Sequence, residues 1–218
     1  MEDRWIVFFD VDGTLLEQPK SSWRLIHEIL GTEAKADEYA ELYRLGRITY
    51  EEWARLDASL WRGQDYAELR KMVLHRLKLR EGARELFALL KGLNAVTILI
   101  SAGLSLVVEP VAKELGADVA LSNKLIVKEG RLTGEVEVLV DFHGKGEIAK
   151  GIIKRLGLSQ ERTIAVGDDL NDISIFAVVA HPIAYNPSAP EVAKKARYVI
   201  YSRTLYPLKA LLSTLILS

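Results

Sequence analysis

The chain has 218 residues, 29 basic and 30 acidic side chains, no cysteine, and hydrophobic residues at 49% of its positions. That length suits one large domain or a domain with an insertion, and it is ample for a buried core. Near-zero net charge gives no field for nucleic acid or an anionic membrane surface, and the lack of cysteine excludes disulfides, thiolate nucleophiles and sulfur-held metals. The acidic start Met1-Glu2-Asp3-Arg4 does not read as a signal peptide, and the longest uncharged run, Gly92 to Val108, is broken by Asn94, Thr97, Ser101 and Ser105. A soluble, cytoplasmic chain is expected.

Trp5–Phe9 is a short apolar run that predicts a first strand. From about Glu17 to Lys78 no strand pattern occurs; four helical patterns follow one another instead. Thr49-Tyr50-Glu51-Glu52 is a capping-box sequence opening the third, with Trp53, Leu56 and Leu60 on one face, and Leu69, Val73 and Leu77 mark the fourth. This segment holds 11 acidic and 11 basic residues, so it is no electrostatic arm. It also holds Trp23, Trp53 and Trp61, which suit the core of a small bundle, with one or two of its aromatics able to line a pocket. Strands are predicted again at Ala95–Ile100, Val119–Leu121, Thr163–Val166 and Tyr198–Tyr201. Helical spacing appears at Leu104, Val107, Val108 and Val111, and at Ile148, Ile152, Ile153 and Leu156. Lys124–Val140 predicts a β-hairpin turning at Gly130.

Buried strands alternating with amphipathic helices define an α/β fold with a Rossmann-like parallel sheet, here with a small all-helical insertion after the first strand and an appended hairpin. The boundaries place a core at 1–16 and 79–218 and a helical cap at 17–78.

The first strand runs into Asp10-Val11-Asp12-Gly13-Thr14, two carboxylates at a strand's carboxyl end, where open parallel sheets bind ligands. An EF-hand is excluded, because its twelfth position would be Ser21 rather than a bidentate Glu. Thr163–Asp172 repeats the pattern: a strand ends at Gly167, and Asp168, Asp169 and Asp172 follow. Several carboxylates brought together call for a cation, and oxygen-only ligands favour Mg²⁺. Ser101-Ala102-Gly103 puts a hydroxyl and a glycine after a third strand, at a predicted helix start, where an anion could be cradled. His143-Gly144-Lys145-Gly146 sets a lysine at another helix start. His143, His27, His75 and His181 are expected to be solvent-exposed.

In this order the motifs resemble those of the haloacid dehalogenase-like superfamily of aspartate-nucleophile phosphatases, matched at Asp10–Thr14, Ser101, Lys145 and Gly167–Asp172 over nearly the whole chain. The insertion falls where that superfamily carries its cap. The resemblance implies that Asp10 is the nucleophile and Asp12 the general acid and base. It implies Mg²⁺ held by Asp10, the Asp12 backbone carbonyl and Asp168, with Asp172 ordering its water shell. Ser101, the backbone around Ala102, Lys145 and Asn171 would bind the phosphoryl group and substrate. The implied partner is a small phosphorylated metabolite, with no nucleic acid or membrane, on a monomer or homodimer.

The second half, from Leu125 to Gly134 and again around Lys145 and Asn171–Phe176, is similar to the phosphoserine phosphatase group. The substrate-reading positions depart from it. Where that group has a glutamate for the serine amine this chain has Pro19, and where it has an arginine for the serine carboxylate this chain has Asp57, with Glu17, Arg55 or Arg62 as substitutes if the alignment slips. The expected substrate is therefore a sugar phosphate or a phosphoglycolate-like ester, with phosphoserine next and a phosphomutase reaction after it.

Overall fold

In the computed structural model, which describes residues 4–218, strand β1 (Ile6–Phe9) leads into a looped turn over Val11–Leu15 and a short strand β2 (Leu16–Gln18). Helices α1 (Ser22–Leu30), α2 (Glu33–Arg44), α3 (Tyr50–Ser59) and α4 (Tyr66–Leu74) follow, and the chain returns through β3 (Lys78–Leu79), antiparallel to β2. The four helices thus leave and re-enter through one narrow ribbon. The remainder alternates: α5 (Ala83–Gly92), β4 (Val96–Leu104), α6 (Ser105–Leu115), β5 (Val119–Lys128), β6 (Arg131–Glu137), α7 (Lys145–Leu156), β7 (Thr163–Gly167), α8 (Ile173–Phe176), β8 (His181–Tyr185), α9 (Pro190–Lys195), β9 (Tyr198–Ile200) and α10 (Tyr206–Leu217). No helix among the described residues is long and apolar enough to cross a membrane.

The main sheet has the order β6-β5-β4-β1-β7-β8-β9, parallel throughout except for the β5–β6 hairpin. β1 is central, with Phe9 level with Leu99 of β4 and Val166 of β7, so three carboxyl ends open side by side. Side chains on a strand alternate faces, and both faces of this sheet are covered. Val7, Phe9, Leu99, Ile164 and Val166 enter the core under α5, α6 and α10, while Ile6, Phe8, Ile98, Ile100 and Ala165 enter the one under α7, α8 and α9. Hence β1 reads as a continuous apolar run.

Three expectations change. Val119–Leu121 and the first arm of the predicted hairpin are not separate strands but the two ends of β5, because the hairpin grows directly out of the parallel sheet. Its turn places Glu129 and Gly130 at φ of 51° and 77°, a pair of left-handed residues suited to the twist of a tight hairpin. β4 runs on to Leu104 and α6 begins only at Ser105, so Ser101 sits on the strand rather than at a helix start. β8 had no counterpart in the sequence reading; His181-Pro182 opens it and dilutes the apolar pattern.

The insertion is tied down locally and at a distance. Thr49 and Glu52 form a reciprocal capping box at the start of α3, with bonds of 3.2 Å and 2.7 Å. Trp61 is fully buried between the rings of Trp23 and His27. The link between α3 and α4 also pairs with the hairpin, through Gly63 N–H to Leu132 O, Leu132 N–H to Gln64 O and Tyr66 N–H to Gly130 O. The hairpin therefore braces the helical insertion against the sheet.

Candidate active site

Asp10, Asp168 and Asp172 converge beyond β1 and β7, with one oxygen from each within 4.8 Å of the others. The register of β1 and β7 brings them together, and Asp10 N–H bonds the Val166 carbonyl at 2.9 Å. Lys145, the first residue of α7, reaches in from below. Its ammonium donates to Asp10 Oδ1 and Asp172 Oδ1, each at 2.6 Å, and the side chain is only 1% exposed. Three carboxylates thus face one ammonium. Burial, reinforced by Asp172 and Asp168, raises the Asp10 carboxyl well above its usual range although Lys145 opposes the shift. Asp168 is pushed up to about 7, by burial first and then by Asp172.

Such an excess of buried negative charge is what a hard divalent cation neutralises. The donor set fits Mg²⁺, since oxygens supply every ligand and no soft atom lies among them. Neighbouring bonds hold the carboxylates in place. Thr14 Oγ1 donates to Asp168 Oδ1 at 2.6 Å, and Asp172 Oδ2 accepts from the N–H groups of Asp168 and Asp169. Gly13, at φ 85°, is required here, because a Cβ would strike the Asp168 carboxylate.

Asp12 stands apart from the cluster. Its Oδ2 accepts from Ser22 N–H at 2.6 Å, while its buried Oδ1 has no hydrogen-bond partner among the described residues. Burial raises its pKa, with the Ser22 bonds opposing, so this carboxyl holds a proton more readily than a free aspartate. That suits proton exchange with a leaving group. Ser22 Oγ also accepts from Leu104 N–H at 2.9 Å, which ties α1, Asp12 and the end of β4 into one corner.

Ser101 is 1% exposed, and its Oγ accepts from Gly103 N–H at 3.0 Å, leaving the hydroxyl proton available to an anion. The Ala102 carbonyl accepts from Trp23 Nε1, Tyr50 Oη and Asn123 Nδ2, at 3.0, 3.0 and 2.9 Å. Ser101, Ala102, Asp10, Asp12, Asp168 and Asn171 all line one cleft of about 530 Å³. The buried Oδ1 of Asn171 has no partner among the described residues.

Sequence reasoning missed several residues. Arg80, just past β3, donates to the carbonyls of Gly13 and Thr14 at 2.7 and 2.9 Å and lies over the Tyr185 ring, bracing the loop that carries Asp12. Nothing marks it among the 29 basic residues. Asn123 spans β5, the Ala102 carbonyl and the backbone of Leu139 and Val140; it sits between Ser122 and Lys124 in a strand of mixed polarity, so no sequence pattern singles it out. His27 is a correction: it is 2% exposed and packed on Trp61, because the bundle is too small to bury its tryptophans without also covering their neighbours. His143 is exposed, as expected.

A parallel sheet whose central strand ends in a cation-ready acid cluster is an arrangement suited to phosphoryl transfer. The haloacid dehalogenase-like hydrolase family model matches residues 7–177, and the chain belongs to that family. It is similar over almost its full length to phosphoserine phosphatases. The one from Methanocaldococcus jannaschii is 33% identical over 204 residues, covering 92% of this chain and 93% of that one. The one from Wolinella succinogenes is 31% identical, covering 92% and 96%. A solved structure described as a phospho-aspartyl intermediate analogue of phosphoserine phosphatase superposes with a TM-score of 0.83 at 32% identity, covering 96% of this chain and 99% of that one. These relatives place the chain on the phosphatase side of the family.

Proposed function

We propose that the protein hydrolyses the phosphomonoester of a small metabolite with Mg²⁺, through an aspartyl phosphate on Asp10. The observation that carries this reading is the buried Asp10–Lys145–Asp172 chain beside Asp168. Asp10, Asp168 and the Asp12 carbonyl would hold Mg²⁺, with Asp172 behind them; the ion would offset repulsion between carboxylate nucleophile and phosphate dianion. Asp10 attacks phosphorus in line as the ester bond breaks. Asp12 gives its proton to the leaving oxygen and takes one from the water that later releases phosphate. Ser101 and Lys145 meet the charge on the transferring oxygens. Residues 17–78 act as the cap over this chemistry and 1–16 with 79–218 as its core.

For the substrate we favour a sugar phosphate or a phosphoglycolate-like ester. Pro19 does not line the cleft, and Asp57 lines not the cleft itself but an adjoining cavity inside the insertion. Arg55 is exposed and paired with Glu51, and Arg62 lies against Gly134 of the hairpin, so a slipped alignment supplies no arginine to the cleft. Phosphoserine is the second reading, favoured by the names of the full-length relatives; Glu17 and Lys20 at the cleft wall would then have to read its amine and carboxylate. Phosphate release across a panel of phosphorylated metabolites, with Asp10→Asn as control, tests both. Loss of turnover in the variant is expected, wild-type-like turnover refutes the nucleophile, and a strong isolated preference for phosphoserine replaces the first substrate reading.

A further inference from the structure

A second cavity, of about 150 Å³, lies within the helical insertion, walled by α1, α2 and α3. Ser21, Trp23, Tyr50 and Trp53 line both this cavity and the cleft above Asp10, so the two spaces adjoin. Three of its lining residues, Asp57, His27 and Trp53, carry buried polar atoms that the fold leaves unpaired. Asp57 is 3% exposed, and its Oδ1 has no hydrogen-bond partner among the described residues. Its Oδ2 lies 3.4 Å from His27 Nε2, too far for a good hydrogen bond, and that nitrogen is likewise unpartnered. The Trp53 indole N–H, also buried, has no acceptor. Buried polar groups are normally paired, and unpaired ones gathered around one cavity mark a place where a ligand supplies the partners.

The unpaired atoms are of opposite kinds, which selects the ligand. A carboxylate oxygen accepts and an indole N–H donates. An ammonium would satisfy Asp57 and leave Trp53 unpaired, and a zwitterion that paired both would bring its own carboxylate beside Asp57. A carboxylate would confront Asp57 with like charge, and the Arg24 guanidinium in the wall is already engaged with Asp37 at 2.5 Å. A hydroxyl both donates and accepts, and aromatic walls pack well against carbon-bound hydrogens. Burial pushes the Asp57 carboxyl upward, and a hydroxyl can serve it whether or not it is protonated.

We propose that this cavity receives the leaving group of the substrate and that the leaving group carries several hydroxyls, a polyol or sugar read by Asp57 and Trp53. This rests on the phosphatase reading and narrows it. The test compares kcat/KM for polyol and sugar phosphates of three to five carbons with that for p-nitrophenyl phosphate, in wild type, Asp57→Asn and Trp53→Phe. The wild type should prefer a polyol or sugar phosphate to phosphoserine and phosphoglycolate at least tenfold. Each variant should lower the ratio of polyol to aryl kcat/KM by about tenfold or more, since a site built to bond a hydroxyl loses discrimination when one partner is removed. Trp53→Phe removes the N–H and keeps an aromatic ring against Tyr43 and Tyr50, so it carries the test if Asp57→Asn folds poorly. Unchanged ratios, or a preference for either carboxylate-bearing ester, overturn the proposal while leaving a phosphatase. No hydrolysis of even the aryl ester by wild type overturns the phosphatase reading itself.

Discussion

Replacing Lys145 by methionine removes the ammonium that pairs with the buried carboxylates of Asp10 and Asp172 while keeping most of the side-chain volume. Both bonds are 2.6 Å and all three groups are nearly inaccessible, so water cannot take over the lysine's part. Removing one partner of such a pair typically costs about 3–5 kcal/mol, because a charge is left buried and alone. For a chain of this size each kcal/mol lowers Tm by about 2–4 °C, so thermal unfolding in chelator should fall by roughly 6–20 °C. Mg²⁺ should narrow the gap between variant and wild type, since the uncovered carboxylates bind a cation more tightly; a ligand at a hundred times its Kd adds about 2.7 kcal/mol. Circular dichroism melts with and without Mg²⁺ read both effects. A variant melting within about 2 °C of wild type in chelator, or a gap that Mg²⁺ leaves unchanged, would refute this electrostatic account of the cluster.

Two further tests probe the supports of the site. A Cβ on Gly103 would lie 2.5 Å from Ser22 Oγ and 2.7 Å from Asp12 Oδ2, so Gly103→Ala should displace the Asp12 carboxyl and, with Asp12 as the proposed acid and base, reduce phosphate release by about 10²-fold, the lower end of general acid–base catalysis; turnover above a tenth of wild type would count against that geometry. Thr49→Ala deletes the hydroxyl half of the α3 capping box and should lower stability by about 1 kcal/mol in urea unfolding, with little change in Mg²⁺ affinity, since Thr49 is not among the clustered carboxylates.

The cluster was legible because each piece is a short contiguous string at the end of an apolar run. Asp10 and Asp168 follow strands that the β-branched pattern already marks, and parallel pairing then sets them side by side. What joins the pieces was not legible. Arg80 and Ser22 act through backbone carbonyls and amides of segments remote in sequence, and a guanidinium on a carbonyl leaves no pattern in its neighbours. The end of β4 was misjudged because Ser101-Ala102-Gly103 reads as turn chemistry, whereas Asn123 and Ser22 supply partners that keep the strand extended to Leu104. His27 was misread for a related reason: burial in a small bundle is decided by tertiary packing around Trp61, not by the polarity of the residue itself.

The Ala102 carbonyl belongs to the same peptide unit as the Gly103 N–H that Ser101 Oγ accepts. Trp23 and Tyr50, from two helices of the insertion, donate to one end of that dipole, and the serine hydroxyl sits at the other. Donation at the carbonyl polarises the amide and strengthens its grip on Ser101, which in turn sharpens the serine O–H as a donor. At roughly 0.5–1.5 kcal/mol each, these two bonds alone weight the seated form of the insertion by about 5- to 150-fold over any form that breaks them. With Ser101 in the role proposed above, this peptide would work as a relay: the seating of the helices would be transmitted as charge to the serine hydroxyl, and an anion bound there would in return favour the seated form.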